Sequence, residues 1–175
     1  PNFHNMIKLG ETLTADDAIQ ALYVFNSNPA ATAPNQNKVL AGLARDDLFV
    51  VVHELFMSDT AKSANLVLPA CTQAEQWDLH RSYWHDYAQI NNPAIEPQGE
   101  ARSNHWVFGQ IAQAMGFDEP CFRESEEDTL RGLLAGTGLD FDALAAGPVS
   151  CMPVDETSFA DRKFPTPSGK LELMT

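Results

Sequence analysis

The sequence predicts an α/β protein: a parallel, Rossmann-like sheet in a three-layer arrangement with flanking helices. Three short apolar runs carry the prediction, ALYVF at Ala21–Phe25, LFVVV at 48–52 and LVLP at Leu66–Pro69. Runs this short, rich in β-branched and aromatic residues, suit strands buried on both faces of a parallel sheet. The segments between them carry helix signals, so the order reads as two successive βαβ units. Polar residues close the first two runs, Asn26-Ser27-Asn28-Pro29 after the first and His53-Glu54 after the second. Parallel strands joined by right-handed crossovers put both loops on one edge of the sheet, where open α/β folds bind ligands.

Taken in order, residues 1–20 read as a lead-in from a preceding domain, with Met6, Leu9 and Leu13 along one side and Gly10 as an interruption. Residues 21–147 read as the α/β domain and 148–175 as a tail leading toward a next domain. After the first strand, SNPAATAPN reads as a loop; Pro34 suits a first helical turn, and Val39, Leu40, Leu43 and Ala44 form an apolar stripe. Ser58-Asp59-Thr60-Ala61 reads as the cap and first turn of a short helix. From 70 to 97, aromatics, histidines and charges mix without a period, which predicts a long functional loop or a surface buried by another domain. A helix is predicted over 103–115, with Trp106, Val107, Ile111, Ala112 and Met115 inward and Gly116 as its stop. Another is predicted from Ser125, with acids in its first turn and Leu130, Leu133 and Leu134 as its stripe, then a short one from Asp140 to Ala146. Residues 164–173 read as a turn leading into an extended segment.

Composition narrows the function. With 24 acids against 11 bases, a net charge of −13 over 175 residues and a pI near 4.5, the surface repels a phosphate backbone, so nucleic acid is not an expected partner. An anionic cofactor remains compatible, because amide dipoles hold pyrophosphate locally. No apolar run is long enough to span a bilayer, so no direct membrane insertion is expected, and no export signal is visible. The start at Pro1 predicts a piece of a longer polypeptide; the compartment stays open, with a cytoplasmic placement favoured over a periplasmic one. Cys71, Cys121 and Cys151 are odd in number, widely spaced and without a CxxC pair, which predicts free thiols.

The two strand-end loops gather Asn26, Asn28, His53, Glu54, Ser58 and Thr60. Glu54 lies about one βαβ unit beyond Asn26, where dinucleotide folds keep an acid for ribose hydroxyls, yet there is no GxGxxG and no P-loop. The loop must therefore use amide side chains and helix N-terminal N–H groups. The plainer alternative is an Asn-Pro turn beside a solvated acid.

Four blocks in order, YVFNSNPAATAPNQ (23–36), HELFMSDTAKSANLVLP (53–69), EPQGEARSNHWVFGQIAQAMGF (96–117) and FPTPSGKLEL (164–173), resemble the large catalytic subunits of molybdopterin oxidoreductases, the dimethyl-sulfoxide-reductase family. The resemblance implies the third domain of such an enzyme, one of two nucleotide-binding domains that grip a bis(molybdopterin guanine dinucleotide) with molybdenum or tungsten. By resemblance, Asn26, Ser27, Asn28 and Pro29 lie against one cofactor's pyrophosphate and nucleoside end, His53 and Glu54 meet the guanosine, and Ser58 and Thr60 match two hydroxyl positions. The sequence departs from the family pattern at Asn65 and Cys71. The metal ligand and the cysteines of a 4Fe-4S cluster belong upstream, so no residue here is assigned a catalytic or metal-ligating role. The resemblance further implies two-electron redox or oxygen-atom transfer in the full enzyme only, the other domains of the same polypeptide and an electron-transfer subunit as partners, and no activity from this stretch alone.

Two alternatives stand beside it. His80, His85 and His53 with Asp78 and Asp86 supply nitrogen and oxygen ligands for a metal, though at no established spacing. A free-standing nucleotide-binding or interaction module would share the sheet without the enzyme.

Overall fold

A computed structural model describes residues 3–15, 19–151 and 159–173; the remaining parts of the lead-in and of the tail lie outside the described residues. The chain divides into two compact units, residues 1–78 with 92–129, and residues 79–91 with 130–175.

The first unit holds the parallel sheet. A 3-10 turn at Met6–Lys8 leads into α1 (Leu9–Thr14), then β1 (Ala21–Phe25), α2 (Pro29–Thr32), α3 (Gln36–Leu43), β2 (Phe49–Glu54), α4 (Asp59–Lys62) and β3 (Leu66–Pro69). Strand order is β1-β2-β3, all parallel, with Phe25 opposite His53 and Glu54 opposite Pro69. β2 is central and runs two residues beyond the apolar run, so His53 and Glu54 end the strand instead of following it. On one face, Leu13, Val24, Val39, Leu43, Val50 and Val52 form the buried core. On the other, α5 (Asn104–Ala114) lays Phe108 against Tyr23 and Phe25, at ring separations of 5.3 and 5.0 Å. Helices on both faces of a parallel sheet give the three layers.

Gly10 does not interrupt a helix. It lies inside α1, where an added Cβ would fall 2.8 Å from Lys38 Cβ. Gly42 makes the reciprocal approach, its virtual Cβ 2.3 Å from Leu13 Cβ, so two glycines let α1 and α3 pack nearly backbone to backbone. The inner side of α3 is therefore Val39, Gly42 and Leu43, at i, i+3 and i+4, while Leu40 and Ala44 turn outward. Arg45 fastens the corner by donating to the carbonyls of Leu13 (2.8 Å) and Ile19 (3.2 Å).

Two further expectations are corrected. The proline-containing loop after β1 includes α2, a single helical turn with Pro29 in its first position. The unpatterned stretch 70–97 contains β4 (Asp78–Arg81) and β5 (Tyr87–Asn91). β5 pairs antiparallel with β6 (Val149–Ser150) in the second unit's sheet, whose order is β4-β5-β6. Ala88 and Ile90 of β5 are buried, as are Leu130 and Leu134 of α6 (Glu126–Leu134) and Phe141 and Leu144 of α7 (Phe141–Ala146). Leu133 is exposed. The Asp140 side chain caps α7 by accepting from Ala143 N at 2.8 Å.

α5 keeps Val107 and Ala112 buried, but Trp106 and Met115 are exposed. Trp106 lies instead under the Arg102 guanidinium, 5.5 Å from the ring centroid. Residues 164–173 form a turn, with Gly169 N donating to Thr166 O at 3.0 Å, and no strand follows among the described residues. No helix there is long and apolar enough to cross a membrane.

Candidate functional site

Because β1 and β2 are parallel and in register, their C-terminal tips open at one edge of the sheet. A cleft of about 470 Å³ lies there. One wall is Asn26, Ser27, Asn28, His53, Glu54 and Leu55; the other, beyond β3, is Ala70, Cys71, Gln73, Gln76 and Asp78. The second wall went unnamed in the sequence reading. The signal was available, since the loop after a third parallel strand opens at the same edge.

Asn26 leaves β1 with a φ of +50°, a conformation asparagine tolerates better than most residues with a Cβ. Its Oδ1 accepts from Asn104 Nδ2 at 3.1 Å. Asn28 Oδ1 accepts from Thr60 N at 3.2 Å and from Thr60 Oγ1 at 2.7 Å, while Thr60 Oγ1 accepts from Ala30 N at 3.0 Å. Thr60 is fully buried and outside the cleft lining. It braces the β1 loop against α4. Ser58 also stands outside the lining, capping α4 by accepting from Ala61 N at 3.3 Å. Pro29 is buried in the first turn of α2.

The expected use of helix N-terminal donors fails for α2. Pro29 has no N–H, Ala30 donates to Thr60, and Ala31 and Thr32 donate to Asn28 O at 3.0 Å each. No donor of that turn remains for a phosphate. With Oδ1 doubly occupied by Thr60, the Asn28 amide has its NH2 group to offer a ligand.

His53 is 1% exposed and its Nε2 stands 3.0 Å from Arg102 O. A carbonyl only accepts, so Nε2 carries the hydrogen and Nδ1 is a bare acceptor, buried without a partner. Glu54 is half-buried, and its Oε1 accepts from Leu55 N at 2.8 Å. The lining thus holds two carboxylates, Glu54 and Asp78, several amides, and neither lysine nor arginine. Burial pushes the Cys71 thiol up, with Glu75 and Glu126 adding to the shift, which keeps it protonated and unreactive at neutral pH.

Glu75 anchors the second wall. Its carboxylate accepts from Thr72 N (2.6 Å), Thr72 Oγ1 (2.8 Å) and Gln98 N (2.8 Å). These bonds, the Thr72 backbone donor first, hold its pKa below the ordinary 4.5. A depressed carboxylate contributes stability present above the unfolded value and lost as pH falls through the folded one. Urea unfolding should therefore show stability dropping below about pH 4.5, and the Glu75→Gln variant should lack that part of the drop.

Asn65, where the sequence departs from the family pattern, accepts from Val50 N at 2.7 Å through Oδ1 and ties β2 to β3. Of the histidines proposed for a metal, His85 uses Nδ1 to accept from Tyr87 N at 3.2 Å. Among the described residues, no group of three or more His, Cys, Asp or Glu stands where it would hold a metal ion.

A family model described as "Molybdopterin oxidoreductase" matches residues 3–114. The chain belongs to the molybdopterin oxidoreductase family. "Probable oxidoreductase YoaE" of Bacillus subtilis (strain 168) is 41% identical over 180 residues, covering 99% of this chain and 26% of that protein. "Probable oxidoreductase YyaE" of the same organism is 34% identical, covering 98% and 26%. Acetylene hydratase from Pelobacter acetylenicus superposes with a TM-score of 0.74 at 24% identity, over 94% of this chain and 23% of that one, a likeness of fold alone. The chain spans about a quarter of the length of the curated relatives it matches most fully. Membership in the molybdopterin oxidoreductases implies a molybdenum or tungsten pterin cofactor.

Proposed function

We propose that this chain is the nucleotide-binding part of a larger molybdopterin oxidoreductase and holds the guanosine end of one molybdopterin guanine dinucleotide. The observation that carries the reading is the cleft at the β1 and β2 tips, where Asn26, Asn28 and Glu54 meet in a lining of amides and carboxylates without cations. The ligand chemistry fits. A ribose diol offers two O–H donors to a carboxylate such as Glu54, and the amides both donate to and accept from a purine edge. When bound, the cofactor supplies two-electron redox or oxygen-atom chemistry at its metal. The residues of this chain bind and orient it, and turnover belongs to the assembled enzyme with its other domains, upstream 4Fe-4S cluster and electron partner.

Asn28 is a poor test residue, because its removal also strips Thr60 of a buried partner. Glu54 is better, since its one bond here is to its neighbour's N–H. In the full-length enzyme, Glu54→Gln should weaken retention of the dinucleotide about 10-fold or more, the scale of a charged hydrogen bond. The guanine and metal released from purified protein would fall together while the melting temperature stays put. Unchanged guanine content would defeat the assignment.

A further inference from the structure

We propose that Asp78 selects the base in this cleft and that the base it selects is guanine, an inference that rests on the nucleotide-binding reading above. Three observations carry it. First, the cleft suits an uncharged nucleoside and not its phosphates: it is lined by Glu54 and Asp78 with no lysine or arginine, and the N–H groups of the adjacent α2 turn are spent internally. A phosphate placed there would meet like charge without a compensating donor. Second, an ionised carboxylate only accepts, so its best partner presents two neighbouring donors. Guanine does so with N1–H beside its exocyclic N2–H2, whereas adenine and cytosine set a donor beside an acceptor on the corresponding edge. Third, the two acids stand on different walls and differ in what they already hold. Glu54 ends β2 on the wall that carries Asn28, and one of its oxygens is engaged by Leu55 N. Asp78 opens β4 on the opposite wall, with Gln73 and Gln76, whose amides can donate to the guanine carbonyl. Glu54 therefore faces the ribose and Asp78 the base.

The test is calorimetric titration of the full chain with guanosine, inosine and adenosine. Inosine differs from guanosine only in lacking the exocyclic amine. The wild-type chain should prefer guanosine to inosine by about 10-fold, the scale of one good bidentate discrimination, and should bind guanosine at least as tightly as guanosine monophosphate. Asp78→Asn should collapse the guanosine-to-inosine ratio toward one, Asp78→Glu should keep a preference, and Glu54→Gln should weaken all three nucleosides while leaving the ratio intact. Circular dichroism should show both Asp78 variants folded, as expected for an exposed position; Asp78→Ser serves as an independent variant if the amide proves disruptive. A guanosine preference that survives Asp78→Asn overturns the role of Asp78 while leaving the nucleotide site standing, and tighter binding of the monophosphate than of guanosine overturns it too. Failure of the wild-type chain to bind any nucleoside overturns the nucleotide-binding reading and this inference with it.

Discussion

Replacing Gly42 with valine should unfold the α1–α3 corner, at a cost of about 3 kcal/mol or more in urea denaturation. Alanine in a helix interior ordinarily gains about 1 kcal/mol over glycine. Here the added Cβ would fall 2.3 Å from Leu13 Cβ, with Leu13 Cδ1 and Cγ at 3.2 and 3.3 Å. The atom it strikes is fixed to the backbone and belongs to a fully buried residue, so it cannot swing aside. Even Gly42→Ala should therefore destabilise, and valine adds two methyl groups to the same collision. Gly132 in α6 is the control: nothing lies within 4 Å of its virtual Cβ, and Gly132→Ala should stabilise by about 0.5–1 kcal/mol. A neutral Gly42→Ala would mean that the two helices sit farther apart than described.

The second large effect should come from Thr60→Val, a swap of nearly equal shape that deletes one hydroxyl. That hydroxyl donates to Asn28 Oδ1 and accepts from Ala30 N. Without it the Ala30 N–H loses its partner and Asn28 Oδ1 keeps only the longer bond from Thr60 N. An orphaned buried polar group costs about 1–3 kcal/mol, so the total should reach about 2–4 kcal/mol. Amide hydrogen exchange localises the damage: protection should fall at Ala30, Ala31 and Thr32 and persist in β2. Nucleoside binding should weaken as well, although Thr60 itself stays outside the cleft. Thr60→Ser, which retains the oxygen, should recover most of the exchange protection.

The sheet was legible in the sequence because its strands are apolar runs between polar ends. The bounds of β1 and β3 agree with the runs read at 21–25 and 66–69. The two strands hidden in 70–97 have no such signature. β4 is Asp78-Leu79-His80-Arg81, and β5 alternates correctly but with alanine as one of its two buried residues, too weak a pattern against its neighbours. Helix faces were misjudged where backbone proximity and not side-chain volume fixes the contact, so Leu40 outbid Gly42 as a core residue on hydrophobicity alone. At the site, parallel topology was enough to bring Asn26, Asn28, His53 and Glu54 to one edge. Ser58 and Thr60 show the limit of that reasoning, since a hydroxyl near a helix start has the same sequence signature whether it caps, braces or binds.

The Asn28–Thr60–Ala30 brace also bears on how quickly the cleft is filled. A loop tip held by buried bonds before any ligand arrives has surrendered its conformational freedom during folding, so little of it is left to surrender on encounter. Capture by such a preset rim runs at the rate of diffusion into an open mouth rather than waiting on closure of a floppy arm, and release, not entry, then becomes the step that mutations tune.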